Sequence, residues 1–442
     1  MSVGLAETSV VIAAAVLLSI ASAFGAGQKK PAEQYPLVEA VECRPRDGLP
    51  NVLEKLKAGR EVRIGYFGGS ITAQDGWRTK TLKWLQQQYP AAKVSEINAA
   101  IGGTGSDLGA FRLRHDVLDH KPDLLFVEFA VNDGGTAPEQ IHRSMEGIVR
   151  QTWKADANTD ICYVYTITQA LAPALLEGKF PRAASAMDKL ADHYGIPSIH
   201  MAMEVAKLAK EGKLLWTGKK PVTEEEKAAM KDKLLFAPDG VHPYTDTGHQ
   251  LYLEAVVRSM DKIKPAGKPG PHALPKPLVA DNWENAKMLP LDRAKLSAGW
   301  QKLDMEKDKF AKGWAKRLPQ LWKADKPGET IAFRFKGATA AIYDLLGPDC
   351  GQVVVTVDGK PPVVRPRFDR YCTYHRLAMM TIGSGLNDGE HTVKLELHPD
   401  QPDKVRIFKD GKQFDENPAN NPKYDGRAWY AGSIMIVGDL VE

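Results

Sequence analysis

Cysteine is scarce in this sequence. Its 442 residues hold four, Cys43, Cys162, Cys350 and Cys372. None stands at a C-x2-C or similar spacing, which argues against a cysteine-built metal centre. No glycine-rich stretch carries the lysine of a phosphate-binding loop or completes G-x-G-x-x-G, which argues against a nucleotide. Basic residues form no block with interleaved aromatics, and the formal net charge of +4 is spread along the chain. Nucleic acid is therefore not an expected partner. Long apolar runs are also missing. The one candidate, residues 10–20, is too short for a membrane span, and no other stretch approaches that length.

What is present is an ordinary globular composition, 43% hydrophobic and 26% charged, with enough length and apolar material for two cores. The apolar run at 10–20 is followed by Ala21-Ser22-Ala23, a small-x-small cleavage pattern, with a second such site at Ala26. Residues 1–26 are expected to be a signal peptide or a retained N-terminal anchor. One feature departs from that pattern: Glu7, and no Lys or Arg, precedes the run. Export would make the protein secreted or periplasmic and would permit disulfides. Cys350 and Cys372 then form the more natural pair. The alternative is that all four cysteines are free, small, buried hydrophobes.

A polar lead at 27–45 precedes alternating strand and helix patterns over 46–263. Strands are expected at 62–67, 94–99, 124–131, 161–167 and 196–199. Helices are expected at 79–89, 107–118, 139–154, 183–194, 202–211 and 246–263. Nearly continuous apolar strands alternating with helices predict an α/β domain, a parallel sheet covered on both faces. Residues 212–235 are rich in Lys and Glu and read as a surface insertion, with a helix start at Thr223-Glu224-Glu225-Glu226. Residues 264–278 form a proline-rich linker. Residues 279–442 then carry short strands with turn signals such as Asn387-Asp388-Gly389, which predicts a β-sandwich, jelly-roll-like domain. Trp283, Trp300, Trp314 and Trp322 are assigned to it.

Four stretches in the first domain carry chemistry. Gly68-Gly69-Ser70-Ile71-Thr72 follows the first strand and opens a helix, a turn on which a serine can act as nucleophile. Asn98 to Gly105 is a glycine-rich loop after the second strand, with Gly103 among its exposed-backbone candidates. Ala130-Val131-Asn132-Asp133 ends the most apolar strand, which is broken only by Glu128. Asp239-Gly240-Val241-His242 is a loop before the closing helix, where D-x-x-H spacing can set a carboxylate against an imidazole. Each stretch alone reads better as a turn or a cap; taken together, in this order, they read as a functional set.

That order resembles the SGNH (GDSL-type) hydrolase superfamily over residues 60–262. Gly68-Gly69-Ser70-Ile71 matches the Gly-Asp-Ser-Leu block, with Gly69 in place of aspartate. Ala130 replaces the glycine of the Gly-x-Asn-Asp block. The Gly-Gly-Ser-Ile-Thr variant resembles bacterial carbohydrate esterases. The resemblance implies Ser70 as nucleophile, His242 as base and Asp239 as its orienter. It also implies an oxyanion hole from the Ser70 and Gly103 N–H groups and the Asn132 amide, with no metal and no cofactor. His249 and His115 are rival bases, expected to be structural or exposed.

The resemblance further implies an acetylated poly- or oligosaccharide as substrate and a carboxylic ester hydrolase, a carbohydrate O-acetylesterase, as the activity. An O-acetyltransferase and a non-catalytic glycan-binding protein are the alternatives. Trp77, Arg78, Asp107 and Arg112 are candidate substrate contacts, from their nearness in sequence to Ser70 and the glycine loop. Arg370 to Arg376, a dense aromatic and basic cluster, is either a sugar-binding face, a cover for the site or part of the sandwich core.

Overall fold

The computed structural model describes residues 35–231, 233–411 and 417–441. The expected signal peptide or anchor lies outside the described residues. Among these, no helix is long and apolar enough to cross a membrane.

Residues 36–442 form one compact unit built on two main sheets. The first has six strands: β1 Cys43–Arg44, β2 Glu61–Gly68, β3 Lys93–Asn98, β4 Leu124–Glu128, β5 Asp160–Tyr165 and β6 Ser198–His200. Their order is β1-β6-β5-β4-β2-β3. The pairs β2–β3, β2–β4, β4–β5 and β5–β6 are parallel, and β1 closes the edge antiparallel to β6. Every residue of β4 and β5 is buried, as expected for strands covered on both faces. The helices of this part of the chain are α1 Pro50–Lys57, α2 Ser70–Ala73, α3 Trp77–Gln88, α4 Ser106–Asp116, α5 Pro138–Ala155, α6 Ala172–Leu176, α7 Arg182–Tyr194, α8 Met203–Lys210, α9 Glu224–Met230 and α10 Gly248–Ile263. One group packs as α4–α5–α7, another as α3–α10–α8.

The chain passes from β2 outward to β3, then returns to the other side of β2 as β4. The strand order therefore switches direction at β2, and the crevice at the carboxyl ends of β2 and β4 is where such sheets bind ligands. The expected strand at 124–131 ends earlier, at Glu128, because the chain turns there into that crevice. In the insertion, β7 Leu214–Thr217 and β8 Leu234–Ala237 pair in parallel. Between them α9 starts on a capping box, in which the Thr223 side chain takes the Glu226 N–H and Glu226 returns to the Thr223 N–H.

The second sheet is antiparallel and has nine strands: β9 Ala286–Pro290, β10 Lys295–Leu296, β11 Gln301–Lys302, β12 Trp322–Ala324, β13 Thr330–Leu346, β14 Gln352–Val357, β15 Val363–Pro366, β16 Arg376–Leu397 and β17 Trp429–Val441. Its main path runs β11-β12-β17-β13-β16-β14-β15. The sandwich-like core arises by curling this one sheet. Residues 330–346, in the region expected to carry short strands, form one long strand, β13, bent at register shifts beside Gly337 (φ +146°). Ile331, Phe335, Ile342, Val393, Leu395, Trp429 and Ile434 fill its interior, and Trp300 packs edge-on to Trp429 at 5.2 Å.

Residues 264–278 are held down along the first domain. Glu146 accepts the N–H groups of Leu278 and Val279 at 2.6 and 2.8 Å. His272 meets Asp160 at 2.8 Å and stacks on Trp153. Trp283 belongs to the contact with the α4–α5 face: its ring lies 5.1 Å from Phe111, and a Cβ at Gly147 would come within 2.6 Å of its backbone. Cys43, Cys162, Cys350 and Cys372 are all free thiols, and the last three are buried; the expected Cys350–Cys372 pair is not formed.

Candidate active site

Ser70 is the first residue of α2, with Gly69 as its N-cap, at the end of β2. The loop after β8 carries Asp239 and His242, which ends up facing Ser70 across the crevice. His242 Nε2 lies 2.9 Å from Ser70 Oγ, and His242 Nδ1 lies 2.7 Å from Asp239 Oδ2. The other Asp239 oxygen accepts the backbone N–H groups of Val241 and His242 at 2.9 and 2.8 Å. The D-x-x-H loop thus closes on its own carboxylate, and its tightness follows from Gly240 at φ +75°. Burial pushes the Asp239 carboxyl up. The hydrogen bonds from the His242 ring and from these two N–H groups outweigh it and hold the group below its usual value. The site is open: the His242 and Asp239 side chains are 37% and 48% exposed.

The glycine loop passes beside the serine. A Cβ at Gly102 would lie 3.4 Å from Ser70 Cβ, whereas one at Gly103, at φ +73°, would meet nothing within 4 Å. The loop is pinned to β2 by the Ile101 N–H on the Gly68 carbonyl at 3.0 Å. On the other side stands Asn132. A Cβ at Gly69 would fall 1.8 Å from Asn132 Oδ1, so the side-chain amide occupies the space that any other residue at 69 would need. A side chain at 69 and the present place of the Asn132 amide therefore exclude each other.

Asp133 fastens these two walls together. Its Oδ1 accepts the Ser106 N–H at 3.1 Å, tying the start of α4 to the turn that holds Asn132. Burial raises its carboxyl to about 7. A group whose folded pKa lies above the unfolded one favours the fold in its protonated form, so stability falls as pH rises from about 4 through 7. Asp133→Asn is expected to reduce the drop in melting temperature between pH 5 and pH 8, measured by thermal denaturation at fixed ionic strength.

Three expected substrate contacts are corrected. Trp77 is fully buried, edge-on to Tyr66 and Phe126 at 5.5 and 5.8 Å. Arg78 is buried, paired with Asp75 at 2.9 Å and with Glu96, and its Nε donates to the Thr72 carbonyl. Arg112 is fully buried, bonded to the Ala99 carbonyl and to Asp116, with its guanidinium 4.4 Å from the Phe67 ring centroid. All three brace the strand ends from beneath. Asp107 alone of the four stays half-buried at the start of α4, next to Gly105.

His249 is buried beside Gly76. It accepts the Trp77 N–H at 3.1 Å, and burial lowers it to about 4. His115 pairs with Asp116 at 2.7 Å near the far end of α4.

Between β15 and β16, Tyr371 lies under the guanidinium groups of Arg370 and Arg376, and Tyr374 is 61% exposed. Asp349, Cys350 and His375 bring ligand-type atoms within 4.8 Å of one another. Asp349 is already bonded to His375 at 2.6 Å and to the Tyr430 hydroxyl at 2.8 Å, a satisfied polar cluster. Sequence reasoning names Glu128 and Asp133 without giving either a role, and it misses the short turn Gln169–Leu171, whose Gln169 N–H bonds the Gly240 carbonyl at 2.8 Å. The first had a signal, as the lone charge in an apolar strand.

Residues 66–251 match the model of the GDSL-like Lipase/Acylhydrolase family. An uncharacterized lipoprotein, YqeF, of Bacillus subtilis (strain 168) is 34% identical over 79 residues, 16% of this chain; the match spans 32% of that relative's length. Two crystal structures of a two-domain esterase active on acetylated mannans share the fold across both domains. The one with mannopentaose has a TM-score of 0.68 at 20% identity, covering 92% of this chain and 99% of that one. The other has 0.65 at 19%, covering 90% and 99%.

Proposed function

From the match of residues 66–251 to the GDSL-like lipase/acylhydrolase family model and the geometry of the site, we propose that this chain is a serine esterase that removes O-acetyl groups from a carbohydrate through an acyl-enzyme on Ser70. The observation that carries the reading is the continuous relay from Ser70 Oγ through His242 to Asp239, at 2.9 and 2.7 Å. His242 takes the serine proton as Oγ attacks the ester carbonyl, then gives it to the departing sugar hydroxyl; a water repeats the sequence and frees acetate. Asp239 holds the ring's tautomer and stabilises the imidazolium. The N–H groups of Ser70 and of the Gly102–Gly103 loop, with the Asn132 amide, receive the oxyanion. One such donor is worth about 3 kcal/mol in the transition state.

The openness of the site favours a bulky polymer over a lipid drawn under a lid. The shared two-domain fold makes acetylated mannan the first substrate to test. Export belongs to the same reading, supported by the small-x-small pattern after residue 20 and by the lipoprotein relative. The purified protein is expected to release acetate from acetylated mannan or acetylated xylan, measured enzymatically over time. No release from any acetylated glycan or from 4-nitrophenyl acetate by the folded protein would overturn the esterase reading. Transfer of acetyl to an added sugar acceptor in preference to water would make it a transferase.

A further inference from the structure

Glu128 is a fully buried carboxylate that the mechanism above does not use. It ends β4 directly opposite Gly68 in the β2–β4 register. Its Oε2 accepts the Thr72 hydroxyl at 2.9 Å and its Oε1 the Thr166 hydroxyl at 2.7 Å. The Gly69 N–H also donates to the carboxylate. No cation is among these partners, although a buried carboxylate is costly without one. Its bonds reach the turn before the nucleophile, the helix that starts on the nucleophile, and the segment after β5. Thr72 is itself tied to the core, since its Oγ1 accepts the Trp77 indole N–H at 3.3 Å.

We propose that Glu128 is a positioning residue that sets the Gly69-Ser70 turn against Asn132, and so holds the oxyanion site in register. The two glycines of the turn support this. A Cβ at Gly68 would lie 2.5 Å from the Glu128 carbonyl oxygen and 3.0 Å from Thr72 Oγ1, and a Cβ at Gly69 would lie 1.8 Å from Asn132 Oδ1. The turn is thus wedged between the Glu128 backbone and Thr72 below and Asn132 beside it, and the Glu128 carboxylate holds Thr72 and the Gly69 N–H in that place. Losing the carboxylate orphans the Gly69 N–H and two threonine hydroxyls, and the turn moves relative to Asn132. Burial pushes the Glu128 carboxyl up to about 7, and glutamine keeps its shape and one accepting oxygen.

The proposal rests on Ser70 being the nucleophile, so Ser70→Ala is run alongside. With 4-nitrophenyl acetate, Glu128→Ala is expected to lower kcat about 30-fold or more with KM little changed, because the oxyanion forms only in the transition state. Glu128→Gln should recover a large part of that loss. The deciding measurement is the cycle with Asn132→Ala. Adding Glu128→Ala to Asn132→Ala should cost less than about 3-fold further, since both changes act on one oxyanion site. A full multiplicative loss, or wild-type kcat in folded Glu128→Ala, overturns the proposal. If Glu128→Ala does not fold, Thr72→Val, which removes the hydroxyl held by Glu128 Oε2, is carried through the same cycle and judged by the same non-additivity. An active Ser70→Ala overturns the esterase reading instead.

Discussion

Ser70→Ala is expected to lower turnover of an acetyl ester by about 10⁴- to 10⁶-fold, with the melting temperature nearly unchanged. Ser70 is half-buried on the surface of a crevice, and its Oγ has one assigned side-chain partner, His242 Nε2 at 2.9 Å. Removing that oxygen takes away the atom proposed to form the acyl bond and little packing. His242→Ala should cost about as much, and the double variant little more than either single one, because the two act as one unit. Kinetics on 4-nitrophenyl acetate, with circular dichroism as a control for folding, check this. Equal kcat for Ser70→Ala and wild type would mean that the relay is not the reacting centre.

Gly69→Ala is expected to lower kcat by about 10²- to 10³-fold, the range for loss of one oxyanion donor. The backbone there is not the obstacle, since φ is −92°, a value any residue adopts. The obstacle is the Asn132 amide, whose oxygen and carbon would lie 1.8 and 2.7 Å from the new Cβ. Either the amide swings away or the serine turn recedes, and both separate the donor from the nucleophile. The loss should fall on kcat more than on KM. Asn132→Ala should lose a similar amount, and Gly69→Ala placed on it should add little. A Gly69→Ala protein with wild-type kcat would show that Asn132 has room to move without consequence. The aspartate of the commoner Gly-Asp-Ser-Leu block meets the same obstacle here, so Gly69 and the place of Asn132 are one feature.

The alternation of apolar strands and helices was readable because each local pattern agreed with the final parallel sheet. The four site segments were readable because each sits on a strand end or tight loop whose residue types are unusual there. Trp77, Arg78 and Arg112 face inward; nearness to Ser70 or the glycine loop in the chain says nothing about facing. Trp77 begins α3 with its side chain turned under β2 onto Tyr66 and Phe126, and Arg112 lies a turn and a half along α4, on the side facing Phe67. The long strands of the second sheet were read as fragments because glycines that normally end strands serve as bends within them.

From the residues alone came the kinds of group at hand, a serine on a glycine turn, an asparagine, an aspartate and a histidine, and the order in which an α/β sheet would present them. Only the tertiary structure brought Ser70 to His242 across 172 residues of chain, because the switch in strand order at β2 opens one crevice at the carboxyl ends of the strands. Only it turned Gly69 from a flexible residue into the space that Asn132 requires, since that constraint is a contact between segments and leaves no mark in either one.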